Sequence, residues 1–474
     1  MAVNTKHDLY LDKVPEWRLM EDSLKGELAI KYGERDEYNK SECGDAWTEG
    51  EVYLPKTSGM IEAEKSARAT GDPHIIADAR KLYLAYKLRA EYPLWVKDSL
   101  RAMVGLVSRC EPVADMPPRM QALIENSTSD GFSLNQLYLR TVRALLAKGR
   151  APLLADFDDA GNPYIATYTA ESAINWRERA QGGRNDLILA VFEELRETED
   201  SSEFDPQYET VFRVLDSLEG VYHSRVMTES GDVLEDAYPG RTGGGTSRPL
   251  TYIPAVYAGT TDNDPAPDEI PLLTMAKSAI MYYRLSADYY QSMHHTAHPQ
   301  PVISGIRPTD DMRVTGPMVA WTLEDPTAKA YYLEFAGAGL GAVRQAMQDQ
   351  RQAASESGAK VVDIGTQESG DAREARQDDQ HSALYSVCKN AAAAIEQVLR
   401  YLADWMGIDP EQVHYTIEPK FTSDEVDAAM LKVISDITLS GGAPREVLYE
   451  TLRRGGITDM DDETLTALTT TEVS

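Results

Sequence analysis

Three histidines stand close together in "MHHTAHPQ": His294, His295 and His298. His294 and His298 are spaced i and i+4, so on a helix both face one way, as two zinc ligands must. A hydrolase built on such a pair needs an acidic general base beside the first histidine. His295 occupies that place, no third acidic ligand lies near, and Pro299 stops the helix. A metal-dependent hydrolase on this cluster is therefore kept as an alternative. Polar histidines at a helix end, where cations suit the dipole, are the simpler reading, and no metal site is assigned.

Other motifs fall short in specific ways. "GRTGGGTS" (240–247) has the glycines of a phosphate loop without the lysine that reaches the γ-phosphate. "AGAGLGAV" (336–343) misplaces the third glycine of a dinucleotide fingerprint, so its small residues are expected to let a helix start close to a neighbouring backbone. "DFDDAGN" (156–162) has Ala160 at the fifth ligand position of a calcium loop and Thr167 in place of the bidentate Glu, and reads instead as a hairpin turn. No nucleophile elbow and no Ser/His/Asp grouping is found. The chain is expected not to be an enzyme and to need no cofactor.

Composition narrows the field further. The chain has 474 residues with 47 basic and 77 acidic side chains, a formal charge of −30. Such a protein lacks the excess cations that bind nucleic acid by releasing its counterions. No run is long and apolar enough for a membrane span, and the first residues show no apolar signal core, so neither membrane nor secretion is expected. Cys43, Cys110 and Cys388 are far apart and odd in number, as expected of reduced thiols.

The elements that would position any site are mainly helical. Helical spacing covers 73–110, interrupted at Pro93, and 133–148, closed by Gly149. A hairpin follows around "DDAGNP", then strand-like text at 188–195, 208–215, 221–227 and in "LTYIPAVYAG". A tyrosine-rich helix spans about 270–296, with Tyr282, Tyr283, Tyr289 and Tyr290 suited to a helix–helix interface. Short strands "PVISGI" and "AYYLEF" precede another helix at about 338–357. After the long helix come the strand "VHYTIEPKF" and two shorter helices, at about 423–438 and 443–453. Residues 1–70 read as mixed, the last ones as a polar tail, and no internal repeat is present. The fold class is α+β, mainly helical.

The most regular apolar stripe lies in "GTQESGDAREARQDDQHSALYSVCKNAAAAIEQVLRYLADWMG" (365–407), with Leu384, Val387, Cys388, Ala391, Ile395, Val398, Leu402 and Trp405 at spacings of three and four. A helix beginning near Asp371 would be about 50 Å long. Its leader is acidic: Asp363, Glu368, Asp371, Glu374, Asp378 and Asp379 against Arg373 and Arg376.

The order helix, compact module, helix, polar loop, very long helix, strand and helical tail resembles that of the portal proteins of tailed bacteriophages. It is most similar to a portal family formerly classed as a domain of unknown function. The phrases that carry the likeness are "EWRLMEDSLKGE", "YLPK", "VKDSLRAMVGLV", "DGFSLNQL", "GRAPLLADFDDAGNPYIATYTAESAINWR", "YLEFAGAGLGAVRQAM", "SALYSV" and "FTSDEVDAAML". Together they span roughly residues 10 to 455.

The resemblance implies a portal fold of wing, stem, clip and crown. By order, 1–269 would be wing, 270–296 the first stem helix and 297–337 the clip. Residues 338–360 would hold the second stem helix, 361–380 the tunnel loop, 381–422 the long wing helix and strand, and 423–474 the crown and tail. The tunnel loop would face a DNA channel through Gly365, Thr366, Gln367, Glu368, Ser369, Gly370, Asp371, Arg373 and Arg376. The implied partners are further copies of the chain in a ring, usually of twelve. They also include the terminase large subunit, the major capsid protein, a head-completion, adaptor or tail protein, and double-stranded DNA passing without sequence-specific binding. The implied place is the capsid portal vertex of the virion, after assembly in the host cytoplasm. Twelve copies would carry a charge of about −360, which disfavours adhesion of phosphates to the lining. A helical adaptor without a channel is the other alternative.

Overall fold

The computed structural model describes residues 2–32, 51–158, 160–181, 184–198, 200–241, 248–297, 300–304, 327, 329–333, 337, 339–357, 370–419, 421, 428–439, 444–454, 458 and 460. The chain is α+β and mainly helical.

The N-terminal region is more regular than its sequence suggests. It forms α1 (Asp8–Lys25), α2 (Glu27–Tyr32) and α3 (Ser58–Thr70), where the sequence reading left mixed structure. The signal was weak because α1 carries Pro15 in its interior and buries few large side chains, Tyr10, Trp17 and Met20 among them. Tertiary contacts hold it: the Trp17 indole N–H donates to the Lys148 carbonyl at 2.8 Å.

The interruption expected at Pro93 separates α4 (Pro73–Arg89) from α5 (Trp95–Val107). Asp72 caps α4 by accepting from the His74 N–H at 2.8 Å, and Pro73 supplies its fixed φ in the first turn. A short strand, β1 (Val113–Asp115), and one helical turn, α6 (Ala122–Glu125), lead to α7 (Leu134–Lys148). Ser133 and Gln136 form a capping box at its start, and Gly149 closes it at φ 72°. A side chain at Gly149 is excluded twice, because its Cβ would also sit 2.8 Å from the Asp268 carbonyl oxygen.

The hairpin expected at "DDAGNP" is β2 (Arg150–Phe157) and β3 (Pro163–Thr167), with Phe157 opposite Pro163. Its turn is closed by its own side chains. The Asp158 carboxylate accepts from the Asn162 backbone N–H at 2.7 Å and from its side-chain amide at 2.9 Å. A five-stranded antiparallel meander follows: β4 (Ala173–Gln181), β5 (Arg184–Glu197), β6 (Tyr208–Asp216), β7 (His223–Thr228) and β8 (Val233–Ala237). The expected strands match β5, β6 and β7. The outer two were missed because β4 is broken by register shifts and every residue of β8 is exposed, which removes the alternation that marks a strand.

A small ladder joins β9 (Gly240–Arg241) to β10 (Arg248–Pro249), and β11 (Ala255–Gly259) returns to pair with β2. The C-terminal half holds α8 (Leu273–Ala297), the hairpin β12 (Gln300–Ser304) and β13 (Lys329–Leu333), then α9 (Leu340–Ser357) and α10 (Gly370–Trp405). Strand β14 (His414–Thr416) pairs with β1 across the whole chain, and α11 (Ala428–Leu439) packs on α12 (Arg445–Arg454). The main core gathers α1, α5, α7 and the β2–β3 hairpin around α10. A second cluster seats α8 on the N-terminal helices through Ile30, Leu54, Tyr83, Tyr86 and Tyr283.

Candidate functional site

Two long helical features dominate the C-terminal half. The first is the pair α8 and α9, which pack against each other. They run antiparallel. A Cβ at Gly337 would lie 3.8 Å from Thr296 Oγ1, putting the start of α9 beside the end of α8, while Arg351 acts on the Tyr282 hydroxyl midway along α8. The β12–β13 hairpin therefore sits at the far end of the pair.

Helix α8 is buried over its first half, from Met275 to Ala287. Polar bonds fix it there. Arg284 Nε donates to the Tyr53 carbonyl at 2.7 Å, Tyr86 to Asp288 at 2.6 Å, and the Glu91 N–H to Ser286 Oγ at 2.8 Å. Tyr283 is fully buried and Tyr282 meets the edge of Trp95 at 5.1 Å. Burial, with Glu91 beside it, pushes the Tyr290 hydroxyl up to about 12, so it stays a donor to Glu91. Beyond Gln291 the helix has no buried residue. Along α9 only Met347, Ala354 and Ser355 are buried. Its polar residues bond one another instead, Gln345 to Asp349 and Gln352 to Glu356, each at 2.9 Å.

The second feature is α10. At about 1.5 Å per residue its 36 residues reach roughly 54 Å. The stripe read from the sequence is buried from Leu384 to Trp405, against α7, β2, β11 and β14. Three polar residues that the sequence reading passed over lock it in place. The Asn390 side-chain amide donates to the carbonyls of Thr260 and Thr261, each at 2.9 Å. Asp404 accepts from Arg241 at 2.7 Å and from the Tyr252 hydroxyl at 2.6 Å. Glu396 pairs with Arg400 at 2.5 Å and accepts the Tyr415 N–H. The signal was available: Asp404 interrupts the stripe between Leu402 and Trp405, where an acid needs a partner. The Cys388 thiol, fully enclosed beside Tyr138, is pushed up to about 11 by burial.

Of the residues assigned to a channel-facing loop, Gly365, Thr366, Gln367, Glu368 and Ser369 lie outside the described residues. Gly370, Asp371, Arg373 and Arg376 are on the first two turns of α10, as backbone helix. The loop expected over 361–380 is thus helical from residue 370 on, since the helix continues N-terminally past its buried stripe. His294 and His295 stand on the last turn of α8 with ring centroids 6.0 Å apart, and the Gln291 amide lies 2.9 Å from His295 Nε2. His298 is outside the described residues. Among the described residues, no three His, Cys, Asp or Glu come together to hold a metal ion, and no helix is long and apolar enough to cross a membrane. The expected close approach at "AGAGLGAV" is not found at two of its glycines: a Cβ at Gly339 or Gly341 would meet nothing within 4 Å, because α9 starts on an open side of the protomer.

A family model described as a domain of unknown function, DUF4055, matches residues 271–406, which hold α8, β12, β13, α9 and α10. No curated protein matches the chain. Similar solved structures include the virion of a native gene transfer agent particle, at 12% identity and TM-score 0.39, covering 79% of this chain and 89% of that one. The neck of the empty particle, computed with C6 symmetry, matches at 12% identity and TM-score 0.38, over 74% and 86% of the two chains. The neck of the native particle, computed with C12 symmetry, matches at 13% and 0.36 over the same shares. These overlaps are too loose to define a shared fold.

Proposed function

We propose that this chain is the subunit of a portal ring: the channel at one capsid vertex through which double-stranded DNA is packaged and later ejected. The observation that carries the reading is the antiparallel pair α8 and α9. Its inner half is rooted in the chain's own core, its outer half buries nothing past Ala287 on α8 and only Met347 on α9, and the antiparallel strands β12 and β13 stand at its far end. That arrangement supports the stem–clip–stem order that the resemblance implies. A bare helical pair of this kind gains its missing cover by standing beside identical pairs in a closed, head-to-tail ring.

In this reading α10 is the girder that joins the stem to the wing. The acidic leader would face the channel, where its negative charge would let phosphates slide past. The ring would sit in the virion. It would dock the terminase large subunit during packaging, the major capsid protein around it, and an adaptor or tail protein afterwards. ATP hydrolysis would belong to the motor.

Negative-stain imaging of the purified chain tests the reading. A closed ring with a hole wide enough for a duplex is expected. A strict monomer at every salt concentration overturns it, and a closed assembly without a hole favours a helical adaptor. Deleting residues 366–370 is expected to leave rings intact and to impair DNA packaging. Unchanged packaging would remove the leader from the channel. Stoichiometric zinc in the purified protein would instead revive the histidine cluster as a hydrolase centre.

A further inference from the structure

The two-residue period of a strand places three charged residues at one edge of a buried layer. Leu154 on β2, Phe192 on β5 and Leu215 on β6 belong to one apolar cluster between the β11–β2–β3 sheet and the meander. Two residues along each strand, on the same face, stand Asp156, Glu194 and Arg213. They meet there. Arg213 Nε donates to Glu194 Oε1 at 2.7 Å, and the Arg213 guanidinium lies 3.9 Å from Asp156 Oδ2. The Tyr168 hydroxyl donates to Glu194 at 2.6 Å while its ring stacks on Phe192 at 4.1 Å, so the polar group is fastened to the core.

The charges of this group do not balance. Two carboxylates face one guanidinium, and Glu194 takes the close pair. Asp156 accepts from the Phe157 N–H at 2.8 Å and from the Tyr164 hydroxyl at 3.4 Å, with Arg213 farther off. The buried Tyr222 lies near it and brings no positive charge. Burial holds the Asp156 carboxyl above the usual carboxylate range and Glu194 adds to the rise, while Phe157, Arg213 and Tyr164 only partly offset them. Protons still reach the group, since Asp156 and Arg213 keep 26% and 23% of their side-chain surface exposed. The end of α10 is close by: Phe157, next in sequence, packs against Trp405 at 4.9 Å.

We infer that Asp156, Glu194 and Arg213 form an acid-tightened joint, in which Asp156 binds a proton as the β2–β3 hairpin and the meander close on each other and releases it as they part. A neutral Asp156 leaves one balanced Arg213–Glu194 pair. A charged Asp156 sets a second carboxylate beside Glu194, and the shared guanidinium cannot neutralise both. A carboxyl that holds its proton more tightly in the folded chain stabilises the fold below its unfolded value and loses that contribution as pH rises through the folded one. The contribution of Asp156 is therefore full in acid and lost toward neutral pH, and the joint slackens beside the end of α10. The joint lies within one protomer and does not require a ring.

Hydrogen–deuterium exchange on the full chain tests the joint, comparing wild type with Asp156→Asn at matched pH, from about pH 8 down toward the ordinary aspartate range near 4. At the alkaline end the variant is expected to exchange at least about threefold more slowly in peptides covering β2, β5 and β6, because asparagine is already neutral. That gap is expected to close as pH falls and the wild-type Asp156 takes up its proton. Glu194→Gln, which removes the near partner of Arg213, is expected to exchange faster in the same peptides. An Asp156→Asn chain that exchanges faster, or does not fold, makes Asp156 a plain ion-pair partner of Arg213 and overturns the joint. A gap that is absent, or the same at every pH, overturns it as well. Equal slowing by Glu194→Gln would overturn Asp156 as the proton site.

Discussion

The C-terminal half of α10 and the outer halves of α8 and α9 are all long helix, yet they are completed differently. From Leu384 to Trp405 the apolar stripe of α10 is buried in its own chain, and Asn390, Glu396 and Asp404 find partners in loops and strands more than ten residues away. Past Gln291 on α8 nothing is buried, and α9 satisfies its polar groups along its own surface. The first helix is specified by one chain. The second region has little buried complement among the described residues, and in the ring reading neighbouring copies would stand against it.

If that contrast is real, substitutions on the two sides should separate stability from assembly. The largest effect is expected for Trp405→Ala. This side chain packs between Phe157 and Tyr222 and donates its indole N–H to the Gly240 carbonyl at 3.1 Å. About 3–5 kcal/mol of folding stability should be lost in urea titrations of the unassembled chain. Asp404→Ala should cost less, about 1–3 kcal/mol by the same measurement, because Arg241 and Tyr252 lose their shared acceptor.

The thiol of Cys388 sharpens the point chemically. Its raised pKa keeps it protonated and inert, so maleimide should label it at pH 8 only on unfolding, while labelling of the native chain would show that the α10 core opens. The same shift weakens folding as pH climbs from the ordinary thiol value toward about 11, since the unfolded chain releases that proton first. Replacing Cys388 by alanine should remove that part of the alkaline loss. The smallest effect on folding is expected on the other side of the comparison. Met293→Ser, at an exposed position of α8, should change the unfolding free energy by less than about 0.5 kcal/mol. Its effect should appear in the assembled fraction instead. A large loss of monomer stability would mean that the outer stem is finished within one chain after all.

How much of this was readable depended on how local the cause was. The turn after β2 was legible because Asp158, Gly161 and Asn162 close it among themselves. The end of α7 was legible because Gly149 is the residue a left-handed C-cap prefers. Helix α1 was not, since its hold comes from contacts such as Trp17 to Lys148, over a hundred residues apart. Strand β8 was not, because with both faces exposed its residues carry no alternation. The leader was read two ways, as a helix beginning near Asp371 and, by the resemblance, as loop through residue 380; the backbone continues α10 from Gly370 on, as the first reading has it.

By itself the sequence determined the α+β, mainly helical class, the long stripe of α10 and the strong negative charge. Each of these is set by residue type and short-range spacing. Only the tertiary structure decided which stripes are covered, that β1 meets β14, that Asp404 has two donors, and that Phe204 stands exposed in the turn beyond β5 and β6. Those facts depend on which distant surfaces meet in space, and spacing along the chain does not encode that locally.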